Sequence, residues 1–549
     1  MTATSHSLVL DSDDYTVMTE LDSPEPESGA YESEAALERH LIEMLTSQGY
    51  EYLPIHEEAD LVANLRSQLE RLNGICFTDN EWENFFKKKL AREGDGILEK
   101  TKVIQQEHVQ LLDRDDGTKA NVLLIDKDRL PNNSMQVVNQ YEAHEGAREN
   151  RYDVTILVNG LPLVHIELKR RGVPLREAFN QIDRYQRDSF WSGLGLFEYV
   201  QLFVISNGTH TKYYSNTTRW RSVEEGGGRR QARRKTSDSF EFTSYWADAR
   251  NKPINDLVPF ARTFLERRTL LNVLTKYCVL TAEDLLLVMR PYQIAATEHV
   301  LRRITYSENN PKLLGTLEAG GYVWHTTGSG KTLTSFKCSQ LASQLQSVDR
   351  AIFVVDRKDL DYQTVREYDR FQKGAANSNT STKVLAKQLG DPKAKIIVTT
   401  IQKLATFIKK TPRHQVYSEH VVFIFDECHR SQFGDMHKAI TSKFRKYHLF
   451  GFTGTPIFAE NAQNSGDPTM RTTEQAFGRR LHLYTIIDAI NDGNVLPFRI
   501  DYLDTVQERE GIESEDVAGI DRERALLSKE RIEAIAQYVL DHYDQKTKL

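Results

Sequence analysis

Tyr152-Asp153-Val154-Thr155-Ile156-Leu157-Val158-Asn159-Gly160-Leu161-Pro162-Leu163-Val164-His165-Ile166-Glu167-Leu168-Lys169 consists of two apolar runs hinged at Asn159-Gly160. Alternation places Val154, Ile156 and Val158 on one face of a first strand, and Val164, Ile166 and Leu168 on the matching face of a second. For those faces to coincide, Asp153 must stand opposite Glu167. A two-residue Asn-Gly loop would instead pair Asp153 with Ile166 and turn Glu167 to the far side, because a slip of one residue inverts every side chain. The expected connection is therefore an odd-length loop of three residues or more, with a bulge as a further means of adjusting the register. On that register Asp153, Glu167 and Lys169 share one polar face.

Two carboxylates so placed are oxygen ligands for Mg²⁺, which polarises a phosphate and acidifies a bound water. Lys169, one pleat beyond Glu167, is placed to orient that water and to stabilise developing charge. An exposed hairpin face carrying Asp, Glu and Lys is also common, so the motif needs support. The helix that follows supplies some, since Gln181 and Tyr185 lie one turn apart on one side of it.

A second phosphate signature lies downstream. Thr327-Gly328-Ser329-Gly330-Lys331-Thr332 follows the apolar run Tyr322-Val323-Trp324, and Asp426-Glu427-Cys428-His429 ends the run Val421–Phe425. A glycine-rich turn between strand and helix exposes backbone N–H groups to a polyphosphate. Lys331 then reaches the β- and γ-phosphates of ATP, Thr332 and Asp426 hold Mg²⁺, and Glu427 is the expected base for the attacking water. His325 stands where the general pattern has its first glycine. Thr453-Gly454-Thr455-Pro456 follows the next apolar strand and is the expected coupling element. Gln293 in Arg290-Pro291-Tyr292-Gln293 is the candidate adenine reader. Asp356-Arg357-Lys358 and Thr399-Thr400-Ile401-Gln402 end strands and are either nucleic-acid phosphate contacts or ordinary caps. Five apolar strand-length runs separated by helix-length polar stretches predict a parallel sheet covered on both faces.

At 549 residues, with 39% apolar and 27% charged side chains, the chain is too long for a single core and ordinary for a globular protein. No run approaches the roughly 18 apolar residues of a membrane helix. The start lacks a secretory signal, and four scattered cysteines have neither metal nor disulfide spacing, so a cytoplasmic location is expected. The net charge of −7 does not announce a nucleic-acid binder. It excludes none either, since charge is screened over about 8 Å at physiological salt and local patches decide. The basic stretch from Glu225 to Lys235 reads either as a mobile loop tracking DNA phosphates or as a solvated one.

The carboxylate–lysine arrangement resembles the PD-(D/E)xK nucleases, with Asp153, Glu167 and Lys169 matching the motif and Tyr152 replacing its proline. Gln181 and Tyr185 resemble an additional element of some restriction subunits, and Glu38 is the candidate for a further acid on the first helix. With a superfamily 2 helicase core behind the nuclease, the order of motifs closely resembles the R (restriction and motor) subunit of type I restriction–modification enzymes from about residue 31 to about 505. The resemblance implies an α/β chain: a disordered acidic tail (1–30), a nuclease domain (31–260), a helical connector (261–285), a RecA-like lobe (286–475), and a linker with the start of a second lobe (476–549). It implies Mg²⁺ at both sites, ATP, double-stranded DNA, and docking on a methyltransferase core of specificity and modification subunits, with no membrane partner.

Ile486–Leu549 reads as the entry to a second lobe, with no arginine-bearing sixth motif after it. The expectation is a C-terminally truncated chain that binds ATP, hydrolyses it poorly and does not translocate. Two other readings stay open. One is an inactive product that only binds partners or DNA, and the other is a stand-alone helicase with a structural front domain.

Overall fold

Register settles how the first sheet is built. A computed structural model describes residues 6–12, 15–21, 33–143, 150–190, 193–216, 239–355, 377–378, 381–428, 433–462, 471–495 and 528–547. In it six strands form one sheet in simple chain order: β1 (Glu51–Tyr52), β2 (Met135–Ala143), β3 (Asn150–Val158), β4 (Leu161–Leu168), β5 (Leu202–Ser206) and β6 (Thr211–Ser215). The β1–β2 and β4–β5 pairs are parallel and the others antiparallel.

The β3–β4 connection is not the odd-length loop expected. It is the two-residue turn Asn159-Gly160, with φ of 52° and 82°, the pair of left-handed residues that a tight hairpin turn demands. Val158 pairs with Leu161 and Leu157 with Pro162, but Ile156 pairs with Val164, so Leu163 is an extra residue in β4. That bulge moves the register by one and restores the parity that the apolar faces require. Asn159 is buried and fixes the turn: its Oδ1 accepts from Ser134 N at 2.8 Å, and its Nδ2 donates to Asn133 Oδ1 at 2.8 Å and Leu124 O at 3.1 Å.

Helix α1 (Glu34–Ser47) is capped by Ser33, whose hydroxyl accepts from Ala36 N, and buries Leu37, Leu41 and Leu45. Helix α2 (Leu175–Asp188) crosses from β4 to β5. Where a disordered tail is expected, His6–Ser12 and Tyr15–Leu21 pair as an antiparallel hairpin. The connector is helical only as far as Tyr277, and then becomes a hairpin of Cys278–Leu280 with Leu286–Val288.

The second sheet is parallel throughout: β7 (Gly321–His325), β8 (Arg350–Val355), β9 (Asn377–Ser378), β10 (Ile396–Thr400), β11 (His420–Asp426), β12 (Lys446–Thr453) and β13 (Arg480–Tyr484), in the order β9-β10-β8-β11-β12-β7-β13. Ile352, Val354, Val421 and Phe423 fill the core on one face. Phe353, Val355, Val422 and Ile424 fill the other, which is why these strands read as continuous apolar runs. Helices α3 (Pro291–Asn309) and α4 (Lys331–Gln344) cover the sheet beside β7. β13 lies beyond residue 475, the expected end of this lobe. The chain divides instead after Val495, and the second unit, residues 496–549, contains helix α5 (Lys529–Thr547).

The core of the first sheet extends to the hairpin at 278–288 and the start of α3, ahead of the motor sheet. Leu280, Leu286, Met289 and Ile294 are buried in the same cluster as Val154 and Ile166. Tyr213 OH donates to Met289 O, and Ser215 Oγ to Leu286 O.

A methyl group at Gly160 would stand 2.6 Å from Leu65 Cα, on a backbone already at positive φ. Gly160→Ala is expected to lower the unfolding free energy by about 2–4 kcal/mol, read from denaturant melts.

Candidate active sites

The β3–β4 ladder runs as far as Val154–Ile166, and beyond it the two strands part. Asp153 fills the gap: its Oδ2 accepts from Leu168 N at 2.8 Å, taking over a backbone hydrogen bond that the ladder no longer makes. β4 stays paired to β5 through Glu167 and Leu168. Asp153 and Glu167 lie within hydrogen-bonding reach of each other, and Lys169 Nζ donates to Glu167 Oε1 at 2.9 Å. The three expected residues therefore converge at the fork.

Burial, and then the Glu167 charge, push the Asp153 carboxyl up to about 7. Burial pushes Glu167 up to about 7 as well, against the pull of Lys169. Burial alone would lower the Lys169 ammonium, but Glu167 and Asp153 outweigh it and the net direction is upward. Glu167 Oε2 is buried without a hydrogen-bond partner. Two carboxyls crowded into one buried site, with a single cation to offset them, fit a divalent ion. Among the described residues no group of three His, Cys, Asp or Glu side chains is arranged to hold a metal, so an ion here would have two carboxylate ligands and complete its shell from water or substrate. That is the usual habit of Mg²⁺.

Gln181 and Tyr185 come to the same place. Gln181 Nε2 donates to Tyr185 OH at 2.5 Å, and Tyr185 OH donates to Arg151 O at 2.8 Å, two residues before Asp153. Tyr152, in the position of the motif's proline, is a core residue whose hydroxyl donates to Ser189 Oγ. Glu38 accepts from Asn139 Nδ2 at 2.5 Å and from Gln140 Nε2, side chains of β2. Gln140 occupies the position across from Asp153 with a φ of 51°, a costly conformation for a residue with a side chain. The α1 acid whose charge reaches both Glu167 and Lys169 is Glu34, one turn before Glu38. Sequence reasoning missed it, although helical spacing puts both acids on one side of α1.

His165 was also missed. It lies two residues before Glu167, on the same face by alternation, and is fully buried. Its Nδ1 is 3.2 Å from Thr155 Oγ1, and its Nε2 is 3.5 Å from Glu167 Oε2. Burial holds its imidazole down to about 4, so the ring is neutral.

At the carboxyl ends of the parallel strands, Gly328 and Gly330 adopt φ of 82° and 77° and lead into α4. Ser329 Oγ donates to Thr326 O at 2.6 Å, and Lys331 and Thr332 open the helix. Tyr292 OH and Gln293 Nε2 both donate to Ser329 O, at 2.7 and 3.0 Å, while Gln293 Oε1 accepts from Arg290 N at 2.9 Å. The residue expected to read adenine thus has both ends of its amide engaged and braces the phosphate loop. Lys331 Nζ lies 3.6 Å from Glu427 Oε1. Glu427 has a φ of 48°, and its N–H donates to Asp426 Oδ1. Thr453-Gly454-Thr455 lies against the loop: a Cβ at Gly454 would stand 3.3 Å from Thr327 Oγ1 and 3.4 Å from Lys331 Nζ. His325 is buried beneath the loop with Nε2 at 2.9 Å from His482 Nδ1 of β13. Thr400 caps a helix by accepting from Lys403 N. Asp356-Arg357-Lys358, the basic stretch at 225–235 and His429 lie outside the described residues.

A strand–turn–helix phosphate loop on a parallel sheet, behind an α/β domain with a forked carboxylate pair, defines a two-domain chain with a helicase-like ATPase lobe. Residues 31–222 match the family model described as type I restriction enzyme R protein N terminus, and residues 292–533 match SWI2/SNF2 ATPase. The chain is 46% identical over 297 residues to the type I restriction enzyme EcoprrI endonuclease subunit of Escherichia coli, covering 54% of this chain and 90% of that protein. It is 41% identical over 532 residues to the SsaAORF53P endonuclease subunit of Staphylococcus saprophyticus, covering 94% of this chain and 52% of the relative. The chain belongs to the family of type I restriction enzyme endonuclease subunits, and it spans about half the length of the curated relatives that it matches almost end to end. Among solved structures, the type ISP restriction–modification enzyme LlaBIII bound to DNA matches with a TM-score of 0.27 and 16% identity, over 38% of this chain and 16% of that one. No described helix is long and apolar enough to cross a membrane, and Cys76, Cys278, Cys338 and Cys428 are free.

Both fork carboxyls hold protons more tightly in the fold than at their ordinary values of 3.8 and 4.5. Their contribution to stability is therefore complete below about pH 4 and is lost as pH rises through about 7. In EDTA, the unfolding free energy should fall between pH 5 and pH 8. Glu167→Gln should flatten that fall in urea melts across the range.

Proposed function

We propose that this chain is the nuclease and ATP-binding part of a restriction motor, cutting DNA phosphodiester bonds with Mg²⁺ at Asp153, Glu167 and Lys169. The observation that carries this reading is the convergence of those three side chains where β3 and β4 part, with Glu34, Gln181 and Tyr185 around them. Asp153 and Glu167 would hold the ion, and deprotonation on binding suits carboxyls poised near neutrality. A bound Mg²⁺ supplies Lewis-acid polarisation of the phosphate and a more acidic water. Lys169, kept charged by the two carboxylates, orients that water and steadies the negative charge that builds on the phosphate oxygens. Glu34 adds negative potential on the same side.

In the second site, the N–H groups of residues 327–332 cradle the phosphates of ATP, Lys331 contacts the β- and γ-phosphates, and Thr332 and Asp426 hold its Mg²⁺. Glu427 positions the attacking water. Thr453-Gly454-Thr455, in contact with the loop, relays nucleotide state to the nucleic-acid side. In the complete assembly, on double-stranded DNA and docked on a methyltransferase core of specificity and modification subunits, this site would drive translocation that ends in cleavage.

Purified chain should nick supercoiled plasmid in Mg²⁺, and Asp153→Ala or Glu167→Ala should reduce nicking by at least about 100-fold. Undiminished nicking in both variants would remove the proposal. Lys331→Ala should abolish binding of a fluorescent ATP analogue, followed by anisotropy, while leaving Mg²⁺-dependent nicking intact.

A further inference from the structure

Two polar atoms at the floor of the nuclease fork face each other without hydrogen-bond partners. His165 Nε2 and Glu167 Oε2 are both buried and unsatisfied, 3.5 Å apart. A buried carboxylate oxygen left without a donor is costly, and so is a buried ring nitrogen. Closing the gap to about 2.9 Å would satisfy both.

The other ring nitrogen has a partner whichever way the proton points. His165 Nδ1 faces Thr155 Oγ1, its cross-strand neighbour in the β3–β4 ladder. A threonine hydroxyl can donate or accept and so serves either tautomer, while the orphaned Glu167 Oε2 is satisfied only by the one with the ring proton on Nε2. The ring is walled in by Tyr152, Tyr185, Phe190 and Phe203, with centroids between 5.7 and 6.3 Å away, so it cannot swing to another partner.

We propose that His165, oriented by Thr155, is a positioning residue for Glu167: its Nε2–H donates to Glu167 Oε2 and sets the angle at which that carboxylate presents itself to a divalent cation. Lys169 engages Oε1. Each carboxylate oxygen has two acceptor sites, so with one donor on each, one site per oxygen remains for the ion. Thr155, His165 and Glu167 form a chain that carries the rigidity of the sheet to the ligand. The inference rests on the reading of the fork as a metal-dependent nuclease site.

The test measures Mn²⁺ affinity of the full 549-residue chain by electron paramagnetic resonance, without nucleotide or DNA, beside Mg²⁺ titrations of plasmid nicking. His165→Leu is expected to weaken Mn²⁺ binding by roughly 10- to 100-fold and to raise the Mg²⁺ concentration for half-maximal nicking in step. His165→Gln, which keeps a donor near Nε2, should stay within about 3-fold of the parent, and Thr155→Val should weaken binding in the same direction as His165→Leu. If His165→Leu does not fold, the other two variants decide. Loss of affinity in His165→Gln as large as in a donor-free variant, or unchanged affinity in Thr155→Val, overturns the inference. Asp153→Ala separates the two levels. Parent-like Mn²⁺ binding in Asp153→Ala sinks the metal site itself, whereas loss there with parent-like binding in His165→Leu sinks only the role of His165.

Discussion

Parity governs the N-terminal domain. The apolar faces of β3 and β4 must meet, the Asn-Gly turn is too short by one residue to let them, and the bulge at Leu163 supplies the missing residue. Without that residue, Glu167 would face away from Asp153 and there would be no paired acids. With it, the two carboxyls share a buried site where burial favours their protonated forms and Lys169 only partly compensates. The fork is thus held by local covalent geometry, through a turn and a bulge that tolerate no slip, and its electrostatic discomfort is a consequence of that rigidity.

Both sites place a side-chain-bearing residue at positive φ next to the chemistry. Gln140 stands across from Asp153, and Glu427 follows Asp426. Such conformations cost of order 1–3 kcal/mol each and persist only where surrounding contacts impose them. At Gln140 the side-chain amide is held by Glu38. At Glu427 the N–H is held by Asp426. Glu38 therefore acts in the structure as an anchor for the strained strand, while Glu34 is the helix α1 acid nearest in charge to the fork.

Much of this was legible in the sequence, for identifiable reasons. Long apolar runs in the motor sheet mark strands buried on both faces, and all five proposed runs are strands. β13 was missed because Arg480-Leu481-His482-Leu483-Tyr484 alternates, as an edge strand does, and resembles a loop when read beside its neighbours. That Asp153 and Glu167 share a face followed from parity. The means of reaching that parity did not, because a bulge leaves no signature that distinguishes it from a longer loop. The choice between Glu34 and Glu38 depends on which end of α1 approaches the fork, and helical spacing treats both alike. Gln293 is a candidate base reader in the sequence, yet its amide is divided between Ser329 O of the phosphate loop and Arg290 N, which only the close packing of α3 against that loop reveals.

The core that ties the first sheet to α3 has a mechanical meaning. Leu280, Leu286, Met289 and Ile294 are buried with the strands of the first sheet, while the helix that contains Ile294 also braces the phosphate loop. Severing the chain near residue 285 would bare apolar side chains that the intact fold keeps buried on both sides of the cut.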